Sequence, residues 1–193
     1  PAYGTPKQCW VGGTTPTPTP TTPSYGPRST ITCPIGALDI WPGSVIPQIV
    51  NLHSARTTYC LRAGVHSLTS SITPKTGNTF VGEYGAILDG SGWATSDDTQ
   101  AAFRAHNQDI DYVTIRNLVI RHMPQQGIHT YYWMSDHWTI EYNEIAYNKT
   151  GLEFAPDFTI RNNYIHHNVG NPSSPNPAER GGGYLGGSAH NTT

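Results

Sequence analysis

The sequence is short of charge. Asp, Glu, Lys and Arg make up 12% of its 193 residues, and the formal net charge is −2. A nucleic-acid partner leaves a basic footprint, and none is present. Long apolar runs are missing too, so no segment has the length of a membrane-spanning helix. Hydrophobic residues amount to 36%, below the usual globular share. The chain carries no P-loop, no strand–glycine loop–helix unit for a dinucleotide, no C-x-x-C and no G-x-S-x-G. No cofactor is implied, and no metal-ligand set stands out. Cysteines number three, Cys9, Cys33 and Cys60, and an odd count leaves one unpaired within a monomer. Cys33 and Cys60 lie near the start of the folded region and form the preferred disulfide. Cys9 lies in a tail and is either free or pairs with another molecule. The chain opens on Pro1 with neither Met nor signal peptide, which reads as a processed or trimmed product.

What is abundant is Gly (20) and Pro (16), a mix that suits many short elements joined by turns. Residues 1–30 contain the stretch GGTTPTPTPTTPSYGP. Proline lacks an N–H and restricts its neighbour, so this tract is expected to be extended, close to polyproline II. Thr/Pro-rich tracts also read as O-glycosylated stalks. Thr14, Thr15, Thr17, Thr19, Thr21 and Thr22 are the candidate attachment points, and they argue for an extracellular chain, secreted or at the cell surface. Residues 31–58 read as an N-terminal cap. There SVIPQIVNL starts on Ser44, a good helix N-cap, and places Ile46, Ile49 and Val50 on one face. Pro47 is tolerable because it falls in the first turn.

Residues 59–193 change character. Short apolar stretches rich in Ile, Val, Thr, Tyr and Phe are cut by Gly and Asn, as in YVTIRNLVIRH, WTIEYNEIAYN and FTIRNNYIHHN. These are strands by residue type. The pairs Thr114-Ile115, Thr139-Ile140 and Thr159-Ile160 recur at spacings of 25 and 20 residues, and each Ile is followed five residues later by another: Ile120, Ile145 and Ile165. Each copy leads into a Gly-led strand, at 127–132, 151–155 and 182–187. No such unit buries its own apolar face, so the units must stack.

The spacing and the phrase vTIrnN-x-I-xxN resemble the right-handed parallel β-helix repeat of the pectin-lyase-like superfamily, over roughly residues 55–193. The opening TYCLRAGVHSL…ITPKTGNTFVGEYGAILDG is similar to the first coils of secreted bacterial members. The resemblance implies an all-β, single-stranded right-handed parallel β-helix, with equivalent residues stacked from coil to coil. Family members usually have more coils, so the chain is expected to be truncated, with an uncapped far end.

Stacking turns the alignment into expected contacts, because parallel strands lie about 4.8 Å apart. Ile115, Ile140 and Ile160 make one inward column. Ile120, Ile145 and Ile165 make a second, and Phe103, Ile128 and Leu152 a third. Asn143 stacks on Asn163 and Asn148 on Asn168, hydrogen-bonding along the column. The sequon at Asn148 falls in that ladder, which argues against glycosylation there. By alternation, Arg116, Glu141 and Arg161 share an outward column that stabilises register.

A second outward column holds Arg104, His129 and Glu153. A His–Glu pair beside an Arg is an acid/base set, and the resembling lyases and hydrolases work on the outer face of a sheet. Tyr131, Tyr132, Trp133 and Trp138 crowd one stretch; exposed aromatics of this kind stack on sugars or form an interface. His166 and His167, adjacent on a strand, are expected to face opposite ways and to share no metal ion.

Three functions follow. The leading one is a structural subunit that stacks on copies of itself head to tail into a glycosylated extracellular filament or surface layer. The alternatives are a polysaccharide lyase or glycoside hydrolase, and a non-catalytic carbohydrate-binding or adhesive module.

Overall fold

The computed structural model describes residues 25–94, 97, 99–130, 134–155 and 157–170. The candidate O-glycosylation threonines, Cys9, Tyr131, Tyr132, Trp133 and the stretch 182–187 lie outside these residues.

The elements are short, as the Gly and Pro content requires. They run β1 (Leu38–Ile40), α1 (Ile46–Leu52), β2 (Thr58–Leu61), β3 (Gly64–Ser67), β4 (Thr79–Gly82), β5 (Ala86–Asp89) and β6 (Ala101–Arg104). Then come β7 (Thr114–Arg116), β8 (Val119–Arg121), β9 (Gln126–His129), β10 (Thr139–Glu141), β11 (Glu144–Ala146), β12 (Thr150–Glu153), β13 (Thr159–Arg161) and β14 (Tyr164–His166). They form three wholly parallel sheets, ordered β1-β2-β4-β7-β10-β13, β14-β11-β8-β5-β3 and β12-β9-β6. Each full coil contributes one strand to each sheet, and the coils stack as a parallel β-helix, the fold class the repeat implied.

The three inward columns form as aligned. Ile140 pairs with Ile115 and Ile160, Ile145 with Ile120 and Ile165, and Ile128 with Phe103 and Leu152. Tyr59 and Phe80 continue the first column, with rings stacked at 4.9 Å. The first sheet starts with β1, inside the segment read as the cap, because Leu38–Ile40 pairs with β2. Ile46 and Val50 of α1 are buried in the same core cluster. The helix begins one residue later than expected. Val45, not Ser44, occupies the N-cap without a side-chain bond, because the first helical N–H groups, of Gln48 and Ile49, close on the Val45 carbonyl. Cys33 and Cys60 form the expected disulfide, with Cα atoms 5.5 Å apart.

Corners are turned by left-handed residues, and most are not glycine. Tyr112, His137 and Asp157 make one column, Asn117, Tyr142 and Asn162 a second, and His122, Tyr147 and His167 a third, all with φ between 50° and 62°. A bulky residue there costs about 1–3 kcal/mol. Stacking along the column offsets part of this cost: Tyr112 lies on His137 at 4.8 Å and Tyr147 on His167 at 5.2 Å.

Each turn also leaves backbone groups without a ladder partner, and asparagines supply one. Asn143 Oδ1 accepts the Leu118 N–H at 3.0 Å, and its Nδ2 donates to the Ile115 carbonyl at 2.9 Å. Asn163 repeats this one coil on, accepting the Asn143 N–H at 2.9 Å. Asn148 and Asn168 do the same at the next corner. The glycines that lead β9 and β12 have a steric cause. A Cβ on Gly127 would meet the Gly151 carbonyl oxygen at 2.5 Å.

A strap crosses the coils. The Gly26 N–H donates to the Asn162 carbonyl and the Arg28 N–H to Asn117 Oδ1. The Arg28 guanidinium lies 4.7 Å from the Tyr142 ring centre. Residues 25–33 therefore run from the last described coil back to the first.

Candidate functional site on the third sheet

The third sheet brings the Arg104–His129–Glu153 column together in register. Arg104 pairs with His129, and His129 with Glu153. His129 Nδ1 makes an ion-pair contact with Glu153 Oε2 at 2.7 Å. That contact is a close approach of the two groups outside hydrogen-bond geometry. Nε2 faces Nδ1 of His106 at 3.1 Å, and the two imidazoles stack with centres 5.3 Å apart.

His106 was not among the residues expected from the sequence. It covers His129, which is only 4% exposed, and is itself half-buried. The outermost titratable ring of the relay is therefore His106, with His129 behind it and Glu153 last. A signal for it existed. His106 stands two residues beyond Arg104, the last residue of β6, close enough in the chain to fold back over the same column.

Arg104 has no ion pair among the described residues, and its Nε is buried without a hydrogen-bond partner. It lines a surface cleft of about 330 Å³ together with Thr69, Ser71, Trp93, Asp97 and Gln100. Arg104 is thus the in-register neighbour of His129, while the cleft that it lines includes none of His106, His129 and Glu153.

Trp138 belongs elsewhere, contrary to its expected exposure. It is fully buried, donates its indole N–H to the Ile110 carbonyl at 2.6 Å, and stacks on Phe158 at 5.6 Å. The reason is register. Trp138 immediately precedes Thr139, as Val113 precedes Thr114 and Phe158 precedes Thr159, so it continues an apolar inward column.

The Arg116–Glu141–Arg161 column forms as read. Glu141 reaches Arg116 at 3.3 Å and Arg161 at 2.7 Å, and its carboxylate raises the Arg161 pKa. Asn148 is 1% exposed with its amide bonded in the ladder, which leaves no room for a glycan.

The histidine pair departs from expectation. Nδ1 of His166 and Nδ1 of His167 lie 2.6 Å apart. The opposite-faces rule fails because His167, at φ 50°, has left the strand conformation.

Among the described residues no helix is long and apolar enough to cross a membrane. No curated protein and no solved structure gave a match. The family model described as the right handed beta helix region matches residues 63–193. That span takes in most of the coils just described, and the chain belongs to the right-handed β-helix family.

Proposed function

We propose that the outer face of the third sheet binds an acidic polysaccharide and cleaves it by β-elimination. The observation that carries this reading is the Glu153–His129–His106 relay beside the unpaired Arg104. A guanidinium forms charge-assisted bonds with a uronate carboxylate and neutralises it. This makes the neighbouring C–H more acidic. His106 takes that proton, and His129 and Glu153 stabilise the imidazolium that results. The freed electron pair forms a carbon–carbon double bond and expels the glycosidic oxygen, which takes up a proton from water. The long, open side of a β-helix suits a chain-like substrate.

The test is incubation with a panel of polyuronates, following both the ultraviolet absorbance of unsaturated product and new reducing ends. Cleavage is expected to be lost on His106→Ala and weakened about 10²-fold or more on His129→Ala. Reducing ends without unsaturation would replace elimination by hydrolysis. Neither cleavage nor binding of any acidic polysaccharide would sink the reading.

A second reading, assembly end to end, draws on the strap. Gly26 is bonded to Asn162, so the described chain starts at the far end of the described stack. A following subunit in a head-to-tail filament would sit at that end, against this strap. Negative-stain microscopy of native material tests this, and monodisperse small particles would refute it.

A further inference from the structure

We propose that His166 and His167 form a binding site for a divalent transition-metal ion, held by the two Nδ1 atoms, with Glu144 as the carboxylate behind His166. The two nitrogens already converge at 2.6 Å. Metal–imidazole bonds of about 2.0–2.1 Å place two cis nitrogens roughly 3 Å apart. The rings therefore need to part by only a few tenths of an ångström.

Convergence alone would be a weak sign, since one ring can donate a hydrogen bond to the other. The second observation is the far side of His166. Its Nε2 lies 3.2 Å from Glu144 Oε1, and a carboxylate accepts only, so the ring proton sits on Nε2. The Nδ1 lone pair is thereby left facing the His167 ring. Carboxylate, imidazole and metal in that order is the usual support for a metal-ligating histidine, because it fixes the tautomer and raises ligand basicity.

The rings are also held in place. Tyr164 stacks on His166 with centres 3.9 Å apart, and Tyr147 stacks on His167 at 5.2 Å. His166 is the last residue of β14, and the left-handed backbone of the exposed His167 turns its ring against His166. Such pre-organisation lowers the entropy lost on binding.

Among the described residues no group of three or more His, Cys, Asp or Glu side chains is placed to hold a metal ion together. The protein therefore supplies two donors, and water or an incoming ligand fills the rest. Two imidazole nitrogens suit zinc, nickel and above all copper(II), and do not suit calcium.

Calorimetric titration of the full chain with Zn²⁺ and with Cu²⁺ tests the site. One ion per chain is expected, with Cu²⁺ the tighter and Ca²⁺ not competing. The His166→Gln/His167→Gln double variant is expected to abolish this binding. Glu144→Gln should weaken it about 10–100-fold, while His137→Gln leaves it unchanged. The Cu²⁺ complex should show electron paramagnetic coupling to two imidazole nitrogens. Unaltered binding in the double variant, coupling to a different set of histidines, or displacement by Ca²⁺ would each overturn the proposal. Circular dichroism confirms that the variants remain folded.

Discussion

Replacing Asp89 by Asn should remove a pH-dependent share of stability that can be sized in advance. Asp89 ends β5 and pairs in register with Arg121 of β8. Its carboxylate accepts the Arg121 Nε–H at 2.7 Å and the Ser91 N–H at 2.9 Å, with His122 Nδ1 at 3.3 Å. The residue is 7% exposed. Burial pushes its pKa up, but the bonds from Ser91, Arg121 and His122 outweigh burial and hold it at about 2, against an ordinary 3.8. A difference of that size corresponds to about 2 kcal/mol. The unfolded chain takes up the proton at the higher pH, so acid favours unfolding. The contribution is whole above the unfolded pKa of 3.8 and is lost as pH falls through the folded value near 2. Asparagine keeps the shape and the Ser91 bond while losing the ion pair. Urea unfolding of both proteins should therefore show Asp89→Asn less stable by about 2 kcal/mol at neutral pH, with the gap closing between 3.8 and about 2. A gap that stays constant across that range would refute the reasoning, since it would mean that the charge contributes nothing.

Trp138→Ala should destabilise the fold by about 3–5 kcal/mol through the cavity it leaves, measured by urea unfolding, and should leave polysaccharide affinity unchanged in whatever remains folded. A stable variant with weakened sugar binding would return Trp138 to the surface role first expected of it. Asn143→Ala orphans the Leu118 N–H, a buried group costing about 1–3 kcal/mol. Unfolding within about 0.5 kcal/mol of the parent would contradict the ladder, because that is the ordinary range of a surface change.

The coil period was legible because parallel stacking converts a sequence offset into a contact. Once Ile115, Ile140 and Ile160 were aligned, their pairing, the asparagine ladders and the Arg116–Glu141–Arg161 column followed from alternation alone. The same rule failed where the backbone stops being a strand. His167 was placed opposite His166 because alternation assumes extended φ, yet a left-handed corner follows directly after β14. No local signal marked that corner, because Tyr, His and Asp occupy positions where Gly or Asn would have announced it. Trp138 was misread for a different reason. Its aromatic neighbours drew attention to bulk exposure, while its alignment with Val113 and Phe158 already placed it inside. His106 was missed because the column was read one strand at a time, and its ring lies on His129 from the loop that follows β6.

Two outward columns of similar composition differ in the order of their residues. In Arg116–Glu141–Arg161 the carboxylate stands in the middle, within 3.3 Å of one guanidinium and 2.7 Å of the other. One carboxylate thus serves two guanidinium groups, which ties three successive strands together and leaves the column with a net charge of +1. In Arg104–His129–Glu153 the carboxylate stands at one end, and the imidazole between takes it at 2.7 Å. Arg104 is left without a carboxylate of its own among the described residues, and the imidazole is left with its second nitrogen turned to His106. The order of three residues along a stack therefore decides which side chains meet: carboxylate with guanidinium on both sides in one column, carboxylate with imidazole in the other. Glu144–His166–His167 repeats the second pattern at a corner of the stack, where a carboxylate again fixes one ring and directs its free nitrogen at another. The repeat thus sets a carboxylate against a histidine twice, at Glu153–His129 and at Glu144–His166, with a second imidazole next to each.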